Sequence, residues 1–378
     1  MRSGQYAQQP GGYSAFLPAP LPPDPPIDLG SELTDLLAEA NLALGRLDGA
    51  SSILPEPDLF VAMYVRQEAV LSSQIEGTQS SLEDVLQFEI DSRGRVRPKD
   101  VAEVVNYVRA MNVGLERLRH ESLSLDLICE LHAQLMEGVR GSELSPGRFR
   151  QIQNWVGPRG ATLASATYVP PPPSKLPELL ADFERFLVDA SFRPDLIHCG
   201  LAHAHFESLH PFRDGNGRVG RLLITLLLCQ RGVLRQPLLY LSEYLKLYRA
   251  EYYSRLNLIR TRGDWEGWLG FFLRGVREVS EAAAATIHAI LRLREEARQT
   301  LSAQLGANPN ALRLLDRLFE RPVVNINLVA EWLECTYPTA SALVAQFVEL
   351  GLLRETTGRQ RDRRYQYDAY LQLFGATD

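Results

Sequence analysis

Apolar residues recur at helical spacing along most of the chain from residue 31 onward. Two stripes show this clearly: one contains Val101, Val104, Val105, Val108 and Met111, and the other Leu125, Ile128, Leu135 and Met136. Intervals of three and four residues place apolar side chains on one helix face. Residues 218–230 are apolar at helical spacing, which predicts a central buried helix, and residues 281–305 predict another long helix. The pattern therefore predicts a mainly α-helical fold.

Two stretches interrupt the helical pattern. Residues 1–30 are rich in Gly, Gln and Pro, which predicts an extended or disordered arm that builds no core. Between residues 155 and 173, glycines and a stretch of strand character from Thr162 to Val169 precede four prolines, which together predict a β-hairpin flap. Ser80 with Glu83 matches a capping box and predicts that a helix begins there.

The last part of the chain has the element order of a winged helix. Helices are predicted over 311–320, 328–334 and 338–350, followed by a charged two-stranded wing over 358–367. Five regions follow from these patterns: the arm at 1–30, an N-terminal helical region at 31–120, a core at 121–280, a linker helix at 281–305 and the winged helix at 306–378.

The composition and the net charge indicate which class of protein the chain belongs to. The chain has 378 residues, of which 45% are apolar and 23% charged, and its net charge is -6. These values are typical of a soluble globular protein and argue against a general polyanion binder. The four cysteines lie far apart among apolar neighbours, which predicts buried free thiols: Cys129, Cys199, Cys229 and Cys335. With no signal peptide and no apolar run long enough for a membrane span, we expect a cytoplasmic location.

The densest polar cluster in an apolar region is the segment from His210 to Arg221, HPFRDGNGRVGR. Gly215 and Gly217 allow a tight turn that presents N–H groups to an anion, at the start of the predicted helix. Arg218 and Arg221 are three residues apart and share a helix face. Asp214 offers an oxygen ligand for magnesium, and His210 can take a proton from a hydroxyl group. The spacing suits a polyphosphate nucleotide.

Other interpretations of this region fit less well. The segment also matches the G-x-G-x-x-G spacing of dinucleotide-binding folds, but a predicted helix and a proline precede it instead of a strand. No P-loop sequence is present. His203 and His205 are two residues apart and diverge on a helix, so they are interpreted as packing residues instead of metal ligands.

The segment resembles the signature of the Fic family, HxFx[D/E]GNGRxxR, at every fixed position. The resemblance implies a Fic-type helical core with a β-hairpin flap. It also implies a protein adenylyltransferase, a nucleotidyltransferase that moves AMP from ATP to a protein hydroxyl and releases pyrophosphate. By the same resemblance, His210 is the catalytic base and Asp214 holds Mg2+. The implied nucleotide-binding residues are Gly215, Asn216, Gly217, Arg218, Val219, Gly220 and Arg221.

An upstream segment, residues 72–77 (SSQIEG), resembles the family's inhibitory motif [S/T]xxxE[G/N]. The resemblance implies regulatory roles for Ser72, Glu76 and Gly77. A Glu76 carboxylate paired with Arg221 would take the place of the γ-phosphate, so ATP would bind with its α-phosphate misaligned for attack. A solvated last helical turn is the alternative interpretation of the same residues.

Two further regions resemble family features. The 162–169 flap resembles an element that docks a target segment, with Thr167 and Tyr168 near the nucleotide; a purely structural turn is the alternative. Tyr252 and Tyr253 resemble a tyrosine pair that lines the adenine site, although both also suit an apolar core.

The predicted winged helix invites a DNA-binding hypothesis. Residues 354–364 contain five arginines against Glu355 and Asp362, a local charge of +3. The candidate recognition helix at 338–350 contains no Lys or Arg, so arginine readout of bases is excluded there. We therefore favour a role in homodimer formation or target docking over DNA binding.

Together the sequence predicts Mg-ATP-dependent AMP transfer to Ser, Thr or Tyr hydroxyls of proteins, autoinhibited in cis by Glu76 and including self-modification. Removal of AMP from a modified protein, with Glu76 orienting a water molecule, is one alternative. A nucleotide-sensing DNA-binding regulator is another.

Overall fold

The computed structural model describes residues 1–54, 57–90, 99–158 and 160–375 of the chain. Helices α1 to α5 span Gly30–Ser51, Pro57–Ile75, Leu82–Ile90, Lys99–Arg117 and Leu125–Leu135. Helices α6 to α10 span Leu176–Val188, Asp195–Leu209, Asn216–Gln230, Ser242–Leu247 and Arg249–Arg262. Helices α11 to α15 span Trp265–Leu305, Pro309–Glu320, Ile326–Leu333, Tyr337–Glu349 and Asp368–Leu371. Strands β1 to β5 span Gly4–Gln8, Ser14–Pro18, Val323–Val324, Arg354–Glu355 and Tyr365–Gln366. The mainly α-helical prediction is confirmed.

The centre of the molecule is formed by α7 and α8, which pack against each other. Every residue of α7 from Leu196 to Leu209 is buried, as are most residues of α8. A helix with apolar side chains all around its axis must be enclosed by other elements. This enclosure fixes the turn between α7 and α8, which contains the candidate catalytic residues.

Helix α11 is continuous for 41 residues. The structure therefore differs from the predicted separate linker helix at 281–305. The buried stripe that includes Trp268 and Val276 continues through Ala283 and Ile290, and no proline interrupts it. An uninterrupted apolar stripe favours one helix over two.

The N-terminal residues form a hairpin of β1 and β2, antiparallel with Gly4 opposite Pro18. The prediction that residues 1–30 build no core is wrong here, because Ala15 and Phe16 are fully buried. Phe16 donates its backbone N–H to the carbonyl of Val169 at 2.9 Å. Ala15 and Phe16 are too few to alter the composition of a Gly- and Pro-rich stretch, so the composition of this stretch does not predict their burial.

The flap contains one antiparallel bridge, between Val156 and Tyr168. The predicted strand from Thr162 to Val169 is thus reduced to its last residues, and a turn occupies residues 163–165. Ser165 Oγ accepts a hydrogen bond from the Thr162 N–H at 3.0 Å, which satisfies this backbone group locally. Side chain to backbone bonds of this kind compete with a strand ladder.

The C-terminal unit follows the predicted order of helices. Its strands form a three-stranded sheet in the order β3-β5-β4, with both pairings antiparallel. The unit packs on α2: the Phe60 and Phe319 rings lie 5.3 Å apart, and Arg66 donates to the Glu320 carbonyl at 3.2 Å. The helix that leads to Glu76 therefore contacts both the core and the C-terminal unit.

None of the described helices combines the length and the apolar character that crossing a bilayer requires. The four cysteines are unpaired; Cys199 is buried and the other three are half-buried.

Candidate active site

The turn between α7 and α8 is built by residues with special backbone geometry. His210 ends α7 with a left-handed φ of 45°, and Gly215 begins α8 with φ 77°. The Asn216 side chain closes the turn, because its Oδ1 accepts from the Phe212 N–H at 2.8 Å and its Nδ2 donates to the Phe212 carbonyl at 2.9 Å. The predicted phosphate-binding turn is therefore pre-formed.

His132 supports this turn and was not identified from the sequence. Its Nδ1 accepts from the Gly147 N–H at 2.8 Å, so its Nε2 donates to the Asp214 carbonyl at 3.0 Å. The ring stacks on Phe212 with centroids 3.8 Å apart. Burial lowers the pKa of His132 to about 4. The neutral imidazole therefore fixes the backbone of Asp214.

Helix α8 is tightly packed at two glycines. A Cβ atom at position 217 would overlap Glu76 Oε1, and one at position 220 would overlap Glu207 Oε1. The Gly220 carbonyl accepts from His203 Nδ1 at 2.9 Å. These close approaches explain why glycine occupies both positions of the motif. His203 thereby acts as a packing residue.

Arg218 is almost fully buried on α8. Its Nη1 donates to Glu103 Oε2 at 3.4 Å, and its Nη2 approaches Met136 Sδ at 3.4 Å. Thr78 donates to the same Glu103 oxygen at 2.8 Å. Glu103, which lies on α4 and was not identified from the sequence, therefore links Arg218 to the turn that follows α2.

Arg221 joins α8 to the end of α2. Its Nε donates to Ser72 Oγ at 2.9 Å, and its Nη2 donates to the Ser72 carbonyl at 2.9 Å and to Glu76 Oε1 at 2.7 Å. Gly77, at φ 97°, turns the chain directly after Glu76. The structure brings Ser72, Glu76 and Arg221 together, as the motif resemblance implied.

The Glu76 side chain is 31% exposed, whereas that of Arg221 is 1% exposed. Burial alone would raise the pKa of Glu76, but the positive charges of Arg221 and Arg218 bring that pKa below its ordinary value. The carboxylate is therefore ionised at neutral pH. It lies over the first turn of α8, where the N-terminal end of the helix dipole favours a negative charge.

His210 is neutral in this arrangement. Burial and, to a lesser extent, the nearby positive charges of Arg260 and Arg150 lower its pKa to about 3. Arg150 donates to the His210 carbonyl at 3.0 Å. A neutral imidazole can accept a proton, which is the state that a general base requires.

Asp214 fits a magnesium ion carried by a nucleotide. Its Oδ1 accepts from the Gly215 N–H at 2.7 Å, and no described residue donates a hydrogen bond to its Oδ2. Within the described ranges, no group of three or more His, Cys, Asp or Glu residues could hold a metal. One carboxylate suits Mg2+, which takes its other ligands from phosphates and water.

The remaining residues predicted for the site differ in how far they are buried. Tyr168 is buried: its hydroxyl donates to the Ser208 carbonyl, and Arg260 stacks on its ring at 3.7 Å. Thr167 is exposed, in a bend of the flap. Val219 is fully buried. The Tyr168 and Val219 side chains therefore pack in the core and are not exposed to a ligand.

The tyrosine pair divides between two environments. Tyr252 is buried, and its hydroxyl donates to His203 Nε2 at 2.9 Å. Tyr253 is 38% exposed, and Arg249 lies over its ring at 5.1 Å. Burial and the negative charge of Glu76 together raise the pKa of Tyr253 to about 12. Tyr253 is the member of the pair that a ligand can reach.

Glu207 is, after His132 and Glu103, a third residue of the site to which the sequence assigned no role there. Its carboxyl is buried beside Gly220, and Oε1 has no hydrogen-bond partner among the described residues. Its pKa is raised to about 7, mainly by burial and also by the negative charge of Glu76, against the opposing positive charge of Arg221. Glu207 and Glu103 belong to the site because the fold brings them against Gly220 and Arg218. Neither residue is part of a sequence motif.

Two family models match the chain. The model described as Fic/DOC family N-terminal matches residues 34–116, and the one described as Fic/DOC family matches residues 122–228. Together the two ranges make up half of the chain and contain Glu76 and the whole segment from His210 to Arg221.

Named relatives are similar over part of their length. Protein adenylyltransferase fic-1 of Caenorhabditis briggsae is 31% identical over 47% of this chain and 31% of its own length. Protein adenylyltransferase Fic of Aedes aegypti is 29% identical over 68% of this chain and 45% of its own length. The chain thus spans less than half the length of these two relatives.

A solved structure shows the same fold. A Fic family protein from Desulfovibrio desulfuricans G20 aligns with a TM-score of 0.55 and 22% identity, covering 90% of this chain and 97% of that one.

Proposed function

Because the chain belongs to the Fic/DOC family, we propose that it is a protein adenylyltransferase that transfers AMP from Mg-ATP to a protein hydroxyl group. Glu76 holds the enzyme in an inhibited state. The acceptors are Ser, Thr or Tyr side chains of other proteins, together with hydroxyls of the chain itself.

The observation that carries the proposal is the position of the Glu76 carboxylate. It is a bound anion at the start of α8, in contact with Arg221 and directly over Gly217. The site therefore already holds a negative oxygen where a phosphate oxygen would bind. His210 and Asp214 lie in the same turn, between α7 and α8.

The chemistry assigns one role to each group. The acceptor hydroxyl oxygen attacks the α-phosphorus, the bond from that phosphorus to the bridging oxygen breaks, and pyrophosphate leaves. The neutral His210 takes the hydroxyl proton. Arg218 and Arg221 neutralise phosphate charge, and Asp214 would hold Mg2+, which screens the departing pyrophosphate.

Inhibition follows from competition for Arg221. While Glu76 occupies the guanidinium, the γ-phosphate loses its partner, so ATP binds with its α-phosphate out of line. Keeping about 99% of molecules in this state needs about 2.7 kcal/mol, which one partly desolvated arginine–glutamate pair can supply. Ser72 strengthens the effect by holding Arg221 in the orientation that faces Glu76.

The proposal also covers the cellular location of the protein and the role of its C-terminal unit. A cytoplasmic location is part of the proposal, and the need for ATP and the free state of the four cysteines support it. We assign the C-terminal winged-helix unit to homodimer formation or target docking, since α14 has no basic residue for base readout.

The Glu76→Gly variant tests the proposal. It frees Arg221, so AMP transfer from labelled ATP to lysate proteins and to the chain itself should rise at least severalfold. The matched control adds His210→Ala to Glu76→Gly and should abolish the labelling while leaving ATP binding intact. Equal labelling by wild type and Glu76→Gly would contradict inhibition by Glu76, and no labelling by either would contradict adenylyl transfer.

The same products test the reverse reaction. Labelled proteins made by the Glu76→Gly variant are incubated with the wild-type protein and with the variant. Retention of AMP in both incubations supports transfer as the activity. Release of AMP only by the wild type would instead assign Glu76 to the activation of water.

A further inference from the structure

We propose, on the basis of the proposed inhibition of adenylyl transfer by Glu76, that Lys246 and Arg249 form a second clamp on the end of α2. This cation clamp lies at the junction of α9 and α10. It positions Glu76 by holding the two residues that precede it, Gln74 and Ile75. Lys246 and Arg249 are therefore positioning residues for inhibition.

The end of α2 needs positive charge from other elements. The last turn of this helix, residues 72–75, contains no basic residue, and the acidic Glu76 follows it directly. The carbonyl groups at a helix C-terminus form the negative end of the helix dipole, which disfavours a carboxylate there and favours a cation. Arg221 supplies one cation, through its contacts with the Ser72 carbonyl and with Glu76.

Arg249 supplies a second cation and completes the hydrogen bonding of this helix end. The Ser73 and Gln74 carbonyls accept from backbone N–H groups of the following turn at 3.0 to 3.2 Å. The Ile75 carbonyl instead accepts from Arg249 Nε at 3.1 Å. This carbonyl belongs to the planar peptide group that joins Ile75 to Glu76. Arg249 therefore fixes the orientation of the backbone from which the Glu76 side chain extends.

Lys246 acts through the side chain of Gln74. Its Nζ donates to Gln74 Oε1 at 2.7 Å, and Gln74 Nε2 donates to the Ser80 carbonyl at 2.9 Å. The Gln74 amide thus spans the turn that contains Glu76, from the end of α2 to Ser80. Lys246 holds this amide in the orientation that closes the turn.

The cation clamp is itself held in place. The Arg249 guanidinium lies over the Tyr253 ring at 5.1 Å, a contact that an aromatic ring makes favourably with a cation. At the start of α9, the Ser242 N–H donates to Glu68 Oε2 at 3.0 Å, and Glu68 is a buried residue of α2. Helix α9 is therefore tied to α2 ahead of the clamp, which keeps Lys246 and Arg249 at the end of that helix.

The clamp acts on activity through the population of the inhibited state. When few molecules are released from inhibition, their number rises by the factor by which the inhibited state loses stability. A cation with a hydrogen bond at a helix C-terminus corresponds to about three- to fivefold in such an equilibrium. Loss of Arg249 should raise basal transfer by this factor. Loss of Lys246 should raise it less, because its contact is exposed.

The test measures the rate of AMP transfer from saturating labelled ATP to lysate proteins and to the full chain itself. Arg249→Ala should raise this rate about three- to fivefold. Arg249→Lys keeps the charge and should raise the rate less. The matched control is Arg255→Ala, which removes another arginine of α10, paired with Glu251, and should leave the rate unchanged.

Two further measurements separate positioning of Glu76 from a general structural effect. In the Glu76→Gly background, Arg249→Ala should leave the rate unchanged, because no carboxylate remains to be positioned. Hydrogen–deuterium exchange of the amides of residues 76–78 should be faster in Arg249→Ala than in the wild type. In Arg255→Ala this exchange should match the wild type.

The outcomes distinguish the clamp from the function on which it depends. An unchanged or lower rate for Arg249→Ala in the otherwise wild-type chain, with normal thermal unfolding, would overturn the clamp and leave inhibition by Glu76 intact. A rise of the same size in the Glu76→Gly background would also overturn it, since Arg249 would then act on the transfer step. An absence of labelling by Glu76→Gly itself would refute the transfer activity.

Discussion

At the scale of single residues, the site depends on two glycines of α8, because neither has a Cβ atom. Glu76 Oε1 and Glu207 Oε1 both occupy space that a Cβ atom on α8 would fill, at positions 217 and 220. The first contact brings an anion onto the helix terminus. The second packs a buried carboxyl against the back of the same turn, beside the Phe206 ring.

Gly220→Ala should destabilise the protein by about 1–3 kcal/mol, because the added methyl group overlaps Glu207 in a closely packed core. Thermal unfolding measures this loss as a lower midpoint. In a Glu207→Ala background, where the carboxyl no longer fills this space, Gly220→Ala should lower the midpoint by less than it does in the wild type. Additive effects of the two substitutions would contradict the contact.

At the scale of elements, the turn between α2 and α3 positions the inhibitory carboxylate. Its far end is capped by Ser81 and Asp84: the Ser81 N–H donates to Asp84 Oδ2 at 2.8 Å, and the Asp84 N–H donates to Ser81 Oγ at 3.1 Å. The predicted box of Ser80 with Glu83 was wrong by one residue. Spacing alone fits both pairs, and the hydrogen bonds assign the cap to Ser81 and Asp84.

Thr78→Val should weaken inhibition. The hydroxyl of Thr78 donates to Glu103, which also contacts Arg218, so this bond ties the turn to the phosphate-binding helix. Loss of about 1 kcal/mol of hydrogen bonding should raise basal AMP transfer a few-fold, less than Glu76→Gly does. Transfer from labelled ATP measures the rise.

Thr300→Val serves as the control for this substitution, since Thr300 Oγ1 donates to the Glu296 carbonyl within α11. It should leave basal transfer unchanged. If Thr78→Val and Thr300→Val gave the same rate as the wild type, the link through Glu103 would have no part in inhibition.

At the scale of the whole molecule, the core contains histidines that stay neutral. Burial lowers the pKa to about 4 for His132, His198, His203 and His205 and to about 3 for His210. Burial raises the pKa of Glu68 and Glu207 to about 7. Between pH 6.5 and 4, unfolded histidines bind protons that the folded ones do not, so acid favours unfolding; the two carboxyls act in the opposite direction.

The five histidines destabilise the folded state in acid by more than the two carboxyls stabilise it. The unfolding midpoint should therefore fall as the pH is lowered from 7 to 5. Each histidine contributes on the order of 1 kcal/mol to this loss. His205→Phe should flatten the dependence, because it keeps an aromatic ring against Phe183 and removes one titrating group. A midpoint independent of pH over this range would contradict the neutral buried state.

The sequence also predicted the helical class of the fold and the segment from His210 to Arg221, because both are written in local spacing. It did not predict the buried hairpin at Phe16, since two apolar residues do not change the composition of a Gly- and Pro-rich stretch. Glu103, Glu207 and His132 were missed for a related reason: each acts through a contact with a residue 13 to 115 positions away in the chain.

The sequence by itself determined the helices, the glycine turn and the chemical groups available for phosphate, because hydrophobic periodicity and a contiguous motif are local properties. The tertiary structure alone decided that Glu76 lies on the start of α8 and that Glu103 joins Arg218 to Thr78. Those features depend on which distant backbone and side-chain groups the packing of the core brings within hydrogen-bond distance.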